Sequence, residues 1–452
     1  TGNRKPETGN RKPVYGLARE QLVHQGRVVP TAIVLSHAEQ RERLRRSCPE
    51  AVPRTVVAGD PCYDRLLASL RHRDEYRAAL HTQDDQTLVV LTSTWGRWSL
   101  LGQDPDLPTR LLGQLPMDEY RLAAIVHPNV WHWHGGWQTR AWLERATRAG
   151  LQLVPAREGW RGALVAADLL IGDHGSVATY AAAIGTPVLL GGGTEDELDP
   201  DGSTSALIRS APRFDRAETP REQIDEAIGA HTPDRYTLLT RRTFDIPGQS
   251  LRTLQKLMYQ LMDLDAPGRA PSTRRVPAPQ TAQPVVSATI VVAAMSPHTG
   301  TVDVLRFPAD TDPQAGADHG DRHLAVDLAE TDLGLLQSAD VLVRRSDGHT
   351  RPAHEWAQAT LDAYPGCRIA ASITPKDSCT AFPRSGPAIS LRFLRTSSQG
   401  IPPDPLILPS VAYAWIVNGA SSTLPTKFLV RIGKQEHTAH ITHSLNQPPQ
   451  QS

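Results

Sequence analysis

The sequence lacks net charge, paired cysteines and any long apolar run. Its 48 basic and 48 acidic residues cancel, so bulk charge gives no sign of a protein that binds nucleic acid or a membrane surface. The four cysteines have no paired metal-ligand spacing, which is typical of buried or incidental thiols in a reducing compartment. No apolar run approaches the about 20 residues of a membrane-spanning helix, and the first residues contain no secretory signal.

The chain begins with TGNRKPETGNRKPVYGL, in which TGNRKP occurs twice and an initiator methionine is absent. We expect this sequence to start inside a longer protein. Its 452 residues are enough for two or three domains.

The first part of the chain, to about residue 262, alternates strand-like apolar runs with helical patterns. This alternation predicts an α/β domain with a parallel sheet. The predicted strands are 31–36, 54–59, 87–93, 121–128, 151–155, 168–173 and 187–192. Helices are predicted at 137–150 and at 253–264, where an amphipathic pattern closes the domain.

Residues 264–284 are dense in proline, alanine and threonine. Such a composition cannot bury a core, so it predicts a semi-extended linker. Beyond it, a series of strand-like runs and one helical pattern at 351–366 predict a smaller, strand-rich α+β domain. That domain contains no motif that carries chemistry.

The stretch DLLIGDHGSVATYAAAIGTPVLL, residues 168–190, has the pattern of a strand, a tight turn, a helix of small residues and a second strand. We expect Gly175 to take a backbone conformation that other residues resist, and Ser176 to cap the helix. A helix N-terminus presents unpaired N–H groups and a partial positive charge, so phosphate binds there readily. The alternative is that Ser176 only caps a tightly packed helix.

His127 and Pro128 close the predicted strand RLAAIVHP, so they should lie at the same carboxyl edge of the sheet. A histidine there can hydrogen-bond a diphosphate or stabilise a leaving group, or it can simply end a strand beside a turn. His132 and His134 follow, but no fourth metal ligand is evident, and we expect no metal site.

Several segments, in this order, resemble the CDP-glycerol glycerophosphotransferase family, the teichoic-acid polymerase and primase type of the GT-B superfamily. They are TAIVLSHAEQRERL, VVAGDPCYDRLL with Gly59, Pro61 and Asp64, LTSTWGRW, the His127-Pro128 strand end, and GDHGSVATYAAAIGTPVLL. The resemblance covers about residues 31–195, and it implies the C-terminal, nucleotide-binding half of a GT-B fold.

The resemblance and the composition together predict an organisation of the whole chain. The resemblance implies a remnant of the GT-B N-terminal half with the interdomain connection at 1–60 and a nucleotide-binding domain at 61–263. The composition and pattern of the rest predict the linker at 264–284, the α+β domain at 285–445 and a disordered tail at 446–452. The fold class implied is therefore α/β, with a GT-B-like, Rossmann-type parallel sheet followed by a strand-rich domain.

Residue roles follow from the same resemblance. His127 would contact the donor diphosphate and help it leave, as the catalytic residue. The nucleotide- and substrate-binding residues would be Thr94, Arg97, Asp173, Gly175 and Ser176. The amides of the turn that begins at Asp173 would hold the diphosphate, and no cofactor or metal would be required.

This sequence departs from the family pattern at four positions. Ser93 stands in place of a proline, Gly96 in place of an arginine, His174 in place of a tyrosine and Gly175 in place of a serine. The family's acceptor-side base lies in a His-Gly motif that would fall upstream of Thr1. We therefore expect most of a donor site without that base.

These observations predict a transferase that moves a glycerophosphate or glycosyl group from CDP-glycerol or an NDP-sugar to a polyol or glycan acceptor. The setting implied is bacterial cell-wall polymer synthesis in the cytoplasm, with at most peripheral association with the inner face of the membrane and no nucleic-acid partner. One alternative is a non-catalytic protein that binds a nucleotide or a partner. Another is a nucleotide-sugar epimerase or hydrolase, in which Glu195 or Asp196 would act.

Overall fold

The computed structural model describes residues 17–283, 285–296, 300–311, 320–345, 351–374, 378–394, 403–417 and 426–442. The expected disordered tail at 446–452 lies outside these residues.

A small unit with a parallel strand pair begins the described chain. Its elements are α1 (Arg19–Leu22), β1 (Val23–His24), β2 (Arg27–Val28), β3 (Ile33–Leu35), α2 (Ala38–Ser47) and β4 (Thr55–Val57). β3 and β4 pair in parallel, as the predicted strands at 31–36 and 54–59 require. Leu35 of β3 and Leu44 of α2 share a small apolar core, which holds the helix on the strand pair.

A five-stranded parallel sheet organises the next two hundred residues, with the strand order β7-β6-β5-β8-β9. Its elements are α3 (Pro61–Ser69), α4 (Arg73–Ala79), β5 (Thr87–Ser93), α5 (Leu100–Gln103), α6 (Leu107–Gln114), β6 (Tyr120–Val126), α7 (Pro128–His134), α8 (Gly136–Trp142), α9 (Glu144–Arg148), β7 (Gln152–Leu153), α10 (Trp160–Ala166), β8 (Leu169–Gly172), α11 (Ser176–Ala183), β9 (Val188–Leu190), α12 (Ser203–Ser210), α13 (Pro220–Gly229), α14 (Thr237–Thr243) and α15 (Ser250–Leu261).

Helices cover both faces of this sheet, because its strands are apolar on both sides. In β5, Val90 belongs to one core and Val89 and Leu91 belong to the other. The predicted α/β class is thus confirmed. The chain passes from β5 to β6 on one side and returns to β8 on the other, and ligands of open α/β sheets bind outside the strand ends at such a switch point.

Two local predictions need correction. The helix expected at 137–150 is divided at Leu143, whose φ of −100° and ψ of 4° end α8 before α9 begins. The described part of the predicted linker, residues 264–283, is irregular, but it is not free of the core. Its Val276 is fully buried, donates from its N–H to Ser69 Oγ and accepts from the Tyr76 hydroxyl.

The second domain is a closed barrel of nine strands, in the order β10-β11-β17-β18-β16-β15-β14-β13-β12. Its elements are β10 (Ala288–Ser296), β11 (Thr301–Pro308), β12 (Asp321–Asp327), α16 (Leu333–Ser338), β13 (Val341–Arg345), α17 (Ala353–Ala363), β14 (Ile369–Thr374), β15 (Ser378–Pro383), β16 (Ile389–Phe393), α18 (Leu408–Val417), β17 (Lys427–Ile432) and β18 (Gln435–Thr442). The apolar helix α18 packs in the same core as the inward-facing strand residues. Among the described residues no helix is long and apolar enough to cross a membrane. A strand-rich domain was expected, but the barrel and its buried helix were not.

The barrel packs against the amino edge of the parallel sheet. The buried Arg306 of β11 donates to Asp118, just before β6, and to Asp404 of the barrel domain. Burial alone would lower the pKa of Arg306, but these carboxylates raise it above its ordinary value. Gln435 of β18 adds a hydrogen bond to Asp85, before β5. The contacts lie opposite the carboxyl edge.

Candidate functional site

Asp173 joins the ends of β5 and β8 at the carboxyl edge of the sheet. Its Oδ2 accepts from Thr94 N at 2.8 Å, Thr94 Oγ1 at 2.9 Å and Leu100 N at 2.9 Å, and its Oδ1 accepts from Gly175 N at 3.1 Å. The side chain is almost completely buried. Because Asp173 is buried and accepts four hydrogen bonds from the two loops, its role is to position those loops.

Gly175 is the N-cap of α11, with φ −79° and ψ 156°, which any residue can adopt. The prediction of a special backbone conformation is therefore wrong. Glycine is required here for space, since a Cβ would lie 2.6 Å from Thr94 Cγ2. Ser176 is the first helical residue and makes no capping hydrogen bond, so the prediction that it caps the helix is also wrong.

The start of α11 retains free donors. Gly175 N is held by Asp173, and Ala178 N donates to Gly175 O at 3.2 Å. The N–H groups of Ser176 and Val177 have no hydrogen-bond acceptor among the described residues, and the Ser176 side chain is exposed. Together with the positive end of the helix, these groups can bind an anion.

His127 lies at the end of β6, next to β5. Its Nδ1 accepts from Asn129 N at 3.1 Å, and its ring lies 4.2 Å from that of Trp95. Burial lowers the pKa of His127, and the nearby charge of Asp173 offsets only part of that effect. The ring is therefore neutral at pH 7 with its proton on Nε2, which can donate to a ligand.

The loop after β5 is held by residues that follow β8 and β9. Both donors of Thr94 are occupied by Asp173, and Trp98 O accepts from Gly193 N at 2.8 Å. Arg97 is exposed, and its guanidinium lies over the Trp98 ring at 4.7 Å. Of the expected binding residues, two lie in this loop. Thr94 positions the loop, and Arg97 presents a cation.

Asp64 serves a structural purpose. Asp64 is buried and accepts from Gly248 N at 2.6 Å and Ser250 N at 3.2 Å, which fixes the start of α15. Sequence reasoning missed the link between Asp60 and Tyr180, whose hydroxyl donates to the carboxylate at 2.7 Å. This bond fastens α11 to the start of α3, and only the acidic N-cap position of Asp60 could have indicated it.

The acidic loop after β9 is paired with arginines. Glu195 lies 3.3 Å from Arg209, and Asp199 lies 2.6 Å from Arg43 of α2. Asp196, the other residue expected to act in an epimerase or hydrolase, is exposed. In the part of the chain that the structure describes, no group of histidine, cysteine, aspartate and glutamate could hold a metal ion.

No family model and no curated protein match this chain. Among solved structures, it is similar to the wall teichoic acid polymerase TagF, at 15% identity and a TM-score of 0.37, over 52% of this chain and 58% of that one. It is also similar to UDP-GlcNAc 2-epimerase from Neisseria meningitidis bound to UDP-GlcNAc, at 14% identity and a TM-score of 0.32, over 52% of this chain and 62% of that one. It is similar as well to a glycosyltransferase from Rickettsia africae ESF-5, at 8% identity and a TM-score of 0.31, over 52% of this chain and 64% of that one. The chain spans less than two thirds of each of these structures, and its family stays a prediction.

Proposed function

We propose that the carboxyl edge binds the diphosphate of a nucleotide donor, and that this domain is the donor half of a GT-B-type transferase. The observation that carries the proposal is the pair of donor groups on either side of β5. One is the Nε2–H of His127 after β6, and the other is the amide pair of Ser176 and Val177 after β8.

The spacing of the strands suits a diphosphate. Neighbouring strands lie about 4.8 Å apart, so the ends of β6 and β8 are separated by about 10 Å, with the end of β5 between them. A diphosphate lying across the end of β5 would accept from His127 on one side and from the start of α11 on the other. Arg97 would add an exposed cation from the loop after β5.

Such an arrangement would favour cleavage of a bond at a diphosphate. For a glycosyl group, the bond from the sugar carbon to the diphosphate oxygen breaks, and the bonding electrons stay on that oxygen as the nucleoside diphosphate leaves. For a glycerophosphate from CDP-glycerol, the acceptor oxygen attacks the phosphorus next to glycerol, the bond to the bridging oxygen breaks, and CMP leaves with the electrons on that oxygen. In both cases the proton of the acceptor hydroxyl passes to a base. Donors already aimed at that oxygen stabilise the growing charge without reorganisation. The group transferred would be a glycerophosphate or a glycosyl group, as the motif order predicts, with CDP-glycerol the first donor to test.

Calorimetric titration with CDP-glycerol, a UDP-sugar and CDP tests this proposal. Because hydrogen bonds to charged groups contribute about 1.5–3 kcal/mol, His127→Ala should weaken binding roughly 10- to 100-fold. His37→Ala is the matched control, since His37 Nδ1 caps α2 by accepting from Glu39 N at 3.0 Å on the other sheet. The control should bind as the unchanged protein does.

A specific observation favours the non-catalytic alternative. The donors of Thr94 are used internally, and Ser93 Oγ accepts from Leu101 N at 3.1 Å. Gly96, with φ +88°, cannot become arginine without strain. If none of the three nucleotides binds, the donor proposal fails and the alternative stands. Binding that His127→Ala leaves unchanged would remove His127 from the site.

A further inference from the structure

Three arginines are buried among the described residues, and one of them lacks a counter-charge. Arg77 and Arg306 are each paired with carboxylates. Arg344, on the outer face of β13, is only 5% exposed, yet it forms no ion pair with any described residue. Burying an unpaired charge is unfavourable, so the position of Arg344 calls for an anion that the described chain does not supply.

The contacts of Arg344 leave part of its guanidinium unused. Nε donates to Ser372 Oγ at 3.3 Å and Nη2 donates to Arg351 O at 3.3 Å, so both acceptors are neutral. Nη1 has no acceptor among the described residues. The guanidinium lies 4.3 Å from the centroid of the Trp356 ring, which attracts the cation but does not neutralise it. Burial and the neighbouring Arg351 lower the pKa of Arg344, and no described carboxylate offsets them.

The guanidinium of Arg344 lies where the chain passes from β13 into α17. Strands β12, β13 and β14 pair in parallel, and α16 and α17 form the connections between them. α17 therefore begins outside the carboxyl end of β13, which is where ligands of parallel sheets bind. Arg351, whose carbonyl accepts from Arg344, directly precedes the N-cap Pro352, and Trp356 is the fourth residue of the helix. The cation thus lies at the positive end of a helix.

The start of α17 has free donors of its own. The helix has 11 residues, and no side chain caps it. Trp356 N donates to Pro352 O at 3.1 Å. The three N–H groups before it, those of Ala353, His354 and Glu355, have no acceptor among the described residues. His354 and Glu355 are exposed, so this turn is open to solvent.

We propose that Arg344 and the start of α17 form an oxyanion site that takes a phosphate group. Helix N–H groups bind phosphate oxygens, and the planar fork of a guanidinium matches their geometry. Trp356 on one face of the guanidinium and Ser372 at its Nε hold it in place, which reduces the entropy lost on binding. The site belongs to the barrel domain and does not rest on the proposed donor site.

Titration of the full chain with inorganic phosphate and with methyl phosphate, followed by proton–nitrogen correlation NMR, tests the proposal. Both ligands should shift the amide signals of residues 353–355 and the Nε–H signal of Arg344, because they share the oxygens that these groups contact. The amide of Ser176 reports the donor site separately. Tighter binding of inorganic phosphate would identify free phosphate as the ligand, and tighter binding of methyl phosphate would identify a phosphorylated molecule. Either result supports the site.

Two substitutions remove donors from the site. Arg344→Gln should weaken phosphate binding at least about tenfold, because hydrogen bonds from a charged donor are lost. Ala353→Pro should weaken it about fivefold, because proline lacks the N–H group. Proline fits the first position of a helix, and Pro352 already has the extended ψ of 146° that a residue before proline requires.

Ala38→Pro is the matched control, because Ala38 is the exposed first residue of α2 and also follows an extended N-cap residue. It should bind phosphate like the unchanged protein. Ala353→Pro keeps the test valid if Arg344→Gln does not fold. The proposal is overturned if millimolar phosphate leaves the amides of residues 353–355 unmoved. It is also overturned if Arg344→Gln or Ala353→Pro, once folded, binds phosphate as tightly as the unchanged protein does.

Discussion

Strand β8 has an aspartate at each end, and the two are stabilised in opposite ways. Before the strand, Asp168 accepts from the guanidinium of Arg77 at 2.6 Å, from that of Arg73 and from Leu88 N. After the strand, Asp173 accepts only from backbone N–H groups and a hydroxyl. Arginines neutralise the first charge, whereas oriented dipoles stabilise the second.

The difference separates a closed edge from an open one. At the amino edge, charges are neutralised in pairs, such as Arg306 with Asp118, and the barrel covers them. At the carboxyl edge, the same loops satisfy Asp173, whereas the amides of Ser176 and Val177 and the Nε2–H of His127 have no acceptor in the part of the chain that the structure describes. A binding site needs donors that folding does not use, and this edge retains them.

The largest effect is expected at the closed edge. Asp168→Asn leaves the nearly buried Arg77 without its counter-charge, so the free energy of unfolding should fall by about 3 kcal/mol. Urea denaturation measures this loss, which should be smaller in high salt because screening weakens the original pair. A loss below about 1 kcal/mol would show that Arg77 is satisfied by its bonds to Gln83 O and Gln86 O alone.

The same substitution at the open edge should be milder and more local. Asp173→Asn replaces one acceptor oxygen by an NH₂ group that faces an N–H donor, so stability should fall by about 2 kcal/mol. Hydrogen exchange should accelerate at the amides of Thr94, Leu100 and Gly175, which Asp173 holds. Asp168→Asn should leave those amides protected, and the comparison fails if both variants expose them equally.

The space at the open edge can be tested with Gly175→Ala. Its new Cβ would lie 2.6 Å from Thr94 Cγ2, so overpacking should cost about 1–2 kcal/mol. Gly229→Ala is the control, because a Cβ there meets nothing within 4 Å, and it should stabilise α13 by about 0.5–1 kcal/mol. Thermal unfolding should move in opposite directions for the two variants. If Gly175→Ala is as stable as the unchanged protein, the Thr94 side chain must move to make room for the new Cβ.

Much of the open edge could be predicted from the sequence. The strand ends at His127 and Asp173 follow from apolar runs that stop at polar residues, because parallel strands place their carboxyl ends together. The roles inside the loops could not be predicted. That Asp173 accepts from Thr94 and Leu100 depends on a contact across more than 70 residues, which no local pattern records.

The barrel shows how far the fold could be predicted from the sequence. Most of its strands follow from their apolar residues, but closure depends on the parallel pairing of β11 with β17, more than 120 residues later. Helix α18 was missed because an evenly apolar sequence has no helical periodicity to detect. Strand content is local information, whereas the order of strands is set by distant partners.

The smallest expected effect concerns the protonation of His127. Since burial lowers its pKa, a proton-detected NMR titration should place that pKa below the 6.5 of an unperturbed histidine. Folding favours the neutral ring, so His127 contributes to the free energy of unfolding above pH 6.5. This contribution is lost as the pH falls through the lowered pKa, and the loss is less than about 1.4 kcal/mol per pH unit.

His323 in the barrel has a pKa that burial lowers to about 3, so it makes the protein more sensitive to acid than His127 does. His323→Phe should remove this larger sensitivity. A bound diphosphate should raise the pKa of His127 and leave that of His323 unchanged. If the diphosphate changes neither pKa, the open edge does not bind it through His127.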